Sequence, residues 1–78
     1  MPEGADPRHR LADRARVEVS VIRRYERAGC IEVTEVVDEI AVRRLRRVHR
    51  LRRDLGLDLH AIAIIVRLIE RLERAEGG

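Results

Sequence analysis

Residues 17–31 read VEVSVIRRYERAGCI, and the fold is decided here. Val19, Ile22 and Tyr25 recur every three residues, which puts them on one face of a helix and turns Arg23, Arg24 and Arg27 away from it. Gly29 closes that helix as a left-handed cap. Immediately upstream, Arg16 to Glu18 leaves room for a short turn only. Before the turn, Asp6-Pro7 is a helix-opening pair: Asp accepts hydrogen bonds from orphan amides, and Pro is tolerated where its missing amide costs nothing. A first helix is predicted over Pro7 to Ala15. Its few apolar groups, Leu11, Ala12 and Ala15, require neighbours to hold it, because so short a helix is unstable alone in water. Two short helices about a tight turn make a helix-turn-helix.

Downstream, Cys30 to Val37 alternates Ile31, Val33 and Val36-Val37 with Glu32, Thr34 and Glu35, the pattern of an extended stretch or a very short hairpin. It holds no Gly or Asn-Gly turn, so a full winged hairpin is not expected. A third helix is predicted from Asp38 to about Leu55, with Ala41, Leu45, Val48, Leu51 and Leu55 as its buried stripe and Gly56 closing it. A fourth starts after Asp58, its N-cap, and runs to about Ala75. The expectation is an all-α domain over residues 7–76, about four helices with a shortened or absent wing, preceded by a frayed start over residues 1–6.

A chain of 78 residues holds one domain, at a size where a core is marginal and a partner or second copy completes it. Hydrophobic residues at 45 % beside 40 % charged fit a compact helical protein and not a disordered tail. All 17 basic residues are arginine. The net charge of +3 and a pI near 10.3 permit nucleic acid as a partner without specifying it.

The sequence is poor in the parts that chemistry needs. Cys30 is the sole cysteine, so there is no disulfide framework or thiolate cluster, and a reducing cytoplasm is the expected compartment. His9, His49 and His60 share no metal-ligand spacing and are expected at the surface. Ser20 is the sole serine and has no evident base, and no Gly-rich phosphate loop occurs. No enzyme, cofactor or metal is expected. The longest apolar run, Ala61 to Val66, is far short of the roughly 20 residues a bilayer requires, so no membrane association is expected.

Three surface features remain as candidate sites. In the fourth helix, Ile62, Ile64, Ile65, Val66, Leu68, Ile69 and Leu72 spread over roughly 200° of circumference. Either three other elements wrap it, or the part carrying Ile64, Ile65, Leu68 and Leu72 docks a second copy or a partner. Between Ala28 and Val42 there is no basic residue, while Glu32, Glu35, Asp38 and Glu39 gather. They form an acidic partner site, or they serve the dipole at the start of the third helix. The arginines Arg23, Arg24, Arg27, Arg43, Arg47 and Arg50 form a basic patch for a partner or nucleic acid, or a solvated face with ordinary ion pairs. Tyr25, the one ring suited to stacking on a base, lies on a predicted core face, which disfavours single-strand binding.

The run Leu11-Ala12, Val17, Val19, Ile22-Arg23-Arg24-Tyr25-Glu26-Arg27 and Ala28-Gly29-Cys30-Ile31 resembles the "LA…GVS…IRYYE..GLI" opening of MerR-type proteins, continued by Leu45 to Leu55, Gly56-Leu57-Asp58-Leu59 and Ile62. The resemblance implies a DNA-reading second helix, in which Arg23 matches a phosphate-contacting arginine, a basic wing and a dimerising C-terminal helix. The sequence departs from this pattern: Arg16 replaces the turn glycine, Glu18 replaces the capping serine, and the wing shrinks to Ile31–Asp38 with carboxylates in and beside it.

Residues 52–59, RRDLGLDL, followed by Ala61-Ile62-Ala63, are similar to the "RHELALDWPGIAVAL" stretch of the CbpM group, MerR-like modulators of DnaJ-type co-chaperones. Within that group the closest likeness is to the small DnaK–DnaJ assembly factors. The likeness implies binding to DnaJ and DnaK, with the acidic window facing the basic helix that J-domains present. The activity expected is therefore to hold the two chaperones in a stable complex and restrain them by occlusion. The alternatives are a minimal DNA-binding regulator and a homo-oligomeric adaptor.

Overall fold

The computed structural model describes residues 6–77. Its element order is α1 (Pro7–Ala15), α2 (Val19–Arg27), α3 (Glu39–Leu55) and α4 (Leu59–Gly77), with no strand among the described residues. The expected frayed start lies outside the described residues except for Asp6, which is ordered as the α1 cap and accepts the Arg8 amide at 2.9 Å.

The helix ends are written in local chemistry. Asp38 and Asp58 cap α3 and α4, their carboxylates accepting the amides of Ala41 at 3.0 Å and Ala61 at 2.9 Å. Gly29 (φ 84°) lets α2 close with the Cys30 amide on the Tyr25 carbonyl and the Gly29 amide on that of Glu26, the paired bonds of a Schellman end. Arg16 closes α1 in the same left-handed region, at φ 60° and ψ 48°, without glycine's freedom. The fourth helix continues past its expected end near Ala75 to Gly77.

One core joins all four helices: Leu11 and Ala12 from α1, Ile22 and Tyr25 from α2, Val42, Leu45 and Val48 from α3, and Ile62, Ala63 and Val66 from α4, with Cys30 between. Val42 belongs to the α3 stripe, whereas Leu55, expected there, is 52 % exposed and Ala41 and Leu51 are half-buried. Val42, Leu45 and Val48 advance by three residues a step, which leaves Ala41 at the margin of the buried face, whereas Leu55 shares the phase of Val48 but is the last residue of α3 and lies at its open end.

Candidate functional site

The helix-turn-helix is braced by charge. The Arg8 guanidinium donates through Nε and Nη2 to both Glu26 oxygens, at 2.7 and 2.6 Å, tying α1 to α2 in bidentate geometry. This hydrogen-bonded carboxylate raises the Arg8 pKa above its ordinary value. On the outer side of α2, Ser20, Arg23, Arg24 and Arg27 are exposed, and the three arginines make no ion pair among the described residues. The α2 part of the expected basic patch is therefore one coherent, open face.

The segment between α2 and α3 is irregular where a hairpin was one possibility. It is strapped onto α1 by Arg10, which donates to the Glu35 carbonyl at 2.6 Å, and by Arg14, which donates to the Val37 carbonyl at 2.6 Å. Thr34 and Val36 close a local turn. Between this loop, α1 and the start of α3 lies a groove of about 310 Å³. Its apolar surface includes Ile31, Val36 and Ile40, the last two 65 % and 54 % exposed.

The four acidic residues expected here divide by role. Glu32 and Asp38 line the groove. Asp38 also caps α3, and Glu39 meets Arg14 at 3.1 Å, so both serve structure as the dipole reading anticipated. Glu35 is exposed beside the groove and holds its place through its carbonyl. The exposed apolar floor was not anticipated; Val36 was read as part of the extended alternation, and Ile40 was left out of the α3 stripe.

The arginines of α3 are not one patch. Arg44 and Arg47 reach α4, pairing with Glu70 at 3.4 Å and Glu73 at 2.8 Å, and Arg43 lies beside them. Arg50 sits on another side of α3 with Arg46, His49 and Arg53. Arg23, Arg24 and Arg27 belong to α2, so the six expected residues occupy three separate places.

On α4 the expected apolar face is real in part. Ile64, Leu68 and Leu72 are 58, 52 and 62 % exposed, a ridge at four-residue spacing opposite the buried Ile62, Ala63 and Val66, while Ile65 is half-buried at its margin. No described helix is long and apolar enough to cross a membrane.

His9 and His60 are exposed. His49 is exposed too but has a structural partner that the sequence did not disclose: its Nδ1 shares a 2.8 Å hydrogen bond with the hydroxyl of the fully buried Tyr25. Cys30 is buried, its thiol donating to the Leu59 carbonyl at 3.2 Å, and burial pushes its pKa up. No three His, Cys, Asp or Glu side chains among the described residues form a metal-holding group.

Residues 9–77 match the family described as MerR HTH family regulatory protein. No curated protein and no solved structure matches the chain.

Proposed function

The chain belongs to the MerR helix-turn-helix family of regulatory proteins, and on that premise we propose that it is a protein-binding member, a modulator of the DnaK–DnaJ chaperone pair. The observation that carries this reading is the segment in the wing's place. Residues 31–38 contain no basic side chain and no strand, and Glu32 and Asp38 rim an apolar groove instead. Carboxylates at that place repel the phosphates a basic wing grips.

The same groove offers a basic amphipathic helix an apolar floor at Ile31, Val36 and Ile40 and opposite charge at Glu32 and Asp38, while Arg44, which also lines it, is paired with Glu70. The resemblance to the CbpM group identifies such a helix in the J-domain of DnaJ. Bound there, the chain covers the surface DnaJ offers to DnaK. Its other faces then hold the complex together, in the manner of the DnaK–DnaJ assembly factors, in the cytoplasm where those chaperones work. The action is occlusion and bridging, with no chemical step.

A second reading has its own observation: Arg23, Arg24 and Arg27 are exposed, with no ion pair among the described residues, on the helix that reads DNA in winged relatives. Sizing chromatography of the purified chain with DnaJ and DnaK of the same organism, and separately with duplex DNA, decides between them. Co-elution with DnaJ that is lost in the Glu32→Arg, Val36→Asp double variant is the expected result. Both positions are exposed and neither caps a helix, unlike Asp38. A chain that ignores the chaperones and binds duplex DNA with a steep salt dependence, lost in Arg23→Gln, Arg27→Gln, overturns the chaperone reading.

A further inference from the structure

A groove of about 380 Å³ lies between the helix-turn-helix turn and the side of α3 away from Glu70 and Glu73. Arg16, Arg46, His49, Arg50 and Arg53 stand around it, and its apolar surface comes from Ala15, Val17 and Leu45. No carboxylate lines it. The side chains of Arg16, Arg46 and Arg50 have no hydrogen-bond or ion-pair partner among the described residues, and that of Arg53 has only its neighbour Asp54, at 3.5 Å with both side chains largely exposed.

Unpaired arginines also stand on α2, but the concavity that Arg23 and Arg27 line holds Asp6 and Glu26 as well, whereas this groove is lined by guanidinium groups without a carboxylate. Arg8, Arg14, Arg44 and Arg47 each reach a carboxylate on another helix or its flank. On the groove side of α3, Arg46 and Arg50 are four residues apart and Arg50 and Arg53 three, so like charges are stacked along one helical face, an arrangement that disfavours the helix. Arg16 adds a second cost. It occupies a left-handed backbone conformation, φ 60°, in which an L side chain is disfavoured and glycine is not. Strain and like-charge crowding at one concavity, uncompensated among the described residues, are the marks of a site completed by a ligand.

We infer that this groove binds a short acidic peptide segment. Four guanidinium groups supply planar donor forks suited to carboxylates, in a cleft within the roughly 300–1,000 Å³ range of ligand sites. The apolar patch among them favours a peptide, whose side chains alternate charge with carbon, over a bare phosphate. A base would find a single ring to stack on, the His49 imidazole, which is held through Nδ1 by the buried Tyr25 hydroxyl. The ligand meets guanidinium groups from both the turn and α3, so binding also bridges the helix-turn-helix to the second half of the domain. The inference rests on the groove alone and is independent of the chaperone reading.

The test uses the full chain and a fluorescein-labelled hexapeptide of alternating glutamate and valine, followed by fluorescence anisotropy. The peptide is expected to bind, and its lysine–valine counterpart is not. The Arg46→Gln, Arg50→Gln double variant is expected to bind roughly tenfold or more weakly, since each change removes a charge-assisted contact. Arg71→Gln, Arg74→Gln removes equal charge from α4, away from this groove, and is expected to change affinity by less than about twofold. Arg16→Gly separates site from fold: it is expected to bind more weakly while melting at a higher temperature. Equal loss in both double variants would show general attraction to a basic protein and overturn the site. Displacement of the labelled peptide by duplex DNA or pyrophosphate at lower concentration than by unlabelled peptide would overturn the peptide assignment in favour of a phosphoryl ligand.

Discussion

Tyr25 and His49 make an unequal pair, and the inequality is measurable. The tyrosine is fully buried and its hydroxyl has one partner, His49 Nδ1 at 2.8 Å; the histidine side chain is open to water. Tyr25→Phe removes the bond but leaves no polar group stranded, because water satisfies the imidazole, so the loss is that of one net hydrogen bond, ~1 kcal/mol. His49→Leu keeps side-chain bulk over the ring but strands the hydroxyl in an apolar setting, which costs ~1–3 kcal/mol. In the double variant no polar group is stranded, so it is expected to match Tyr25→Phe and to be more stable than His49→Leu alone. For a domain of this size 1 kcal/mol moves Tm by about 4–8 °C, so the ranking is resolved by thermal melts followed by far-UV circular dichroism and repeated in urea. If Tyr25→Phe is the more damaging single change, or the double loss equals the sum of the singles, the bond does not couple the two residues as described.

Two further outcomes follow from other groups. Cys30, buried with its thiol on the Leu59 carbonyl and its pKa raised by burial, is expected to react with iodoacetamide far more slowly in the folded chain than in urea; equal rates at matched pH would contradict its burial. Asp6 has its carboxyl held below the ordinary value of 3.8 chiefly by the Arg8 amide, so its contribution to folding is present above that value and lost as pH falls through the lower folded one. Asp6→Asn, which still caps, is expected to flatten the acid limb of the stability profile, and an unchanged limb by urea titration across that range would refute the role.

The parts of the fold governed by neighbours in sequence were legible, and those governed by neighbours in space were not. Asp6-Pro7, Gly29, Gly56 and Asp58 announce helix ends because capping acts within four residues. Val19, Ile22 and Tyr25 announce one face of α2 for the same local reason. The Arg8–Glu26 brace spans 18 positions and the Tyr25–His49 bond 24, and no local pattern encodes which polar groups such distances bring together. The arginines of α3 illustrate the limit best. Composition identifies a basic helix, but only the packing of α4 decides that Arg44 and Arg47 are neutralised while Arg46 and Arg50 are not. The acidic cluster was visible as charge. Its division into helix cap, interhelical pair and groove rim depends on where Arg14 arrives from α1.

Cys30 sits where the chain leaves α2, and its thiol is fastened to the carbonyl that begins α4. Arg44 and Arg47 fasten α3 to the same helix farther along. These ties and a shared core join the two halves of the domain. The groove rimmed by Glu32 and Asp38 and the arginine groove are both lined by α3, like two sockets on one bracket. If both proposed sites are occupied at once, that shared helix sets the orientation of one ligand to the other, where a flexible tether of the same length would supply only nearness.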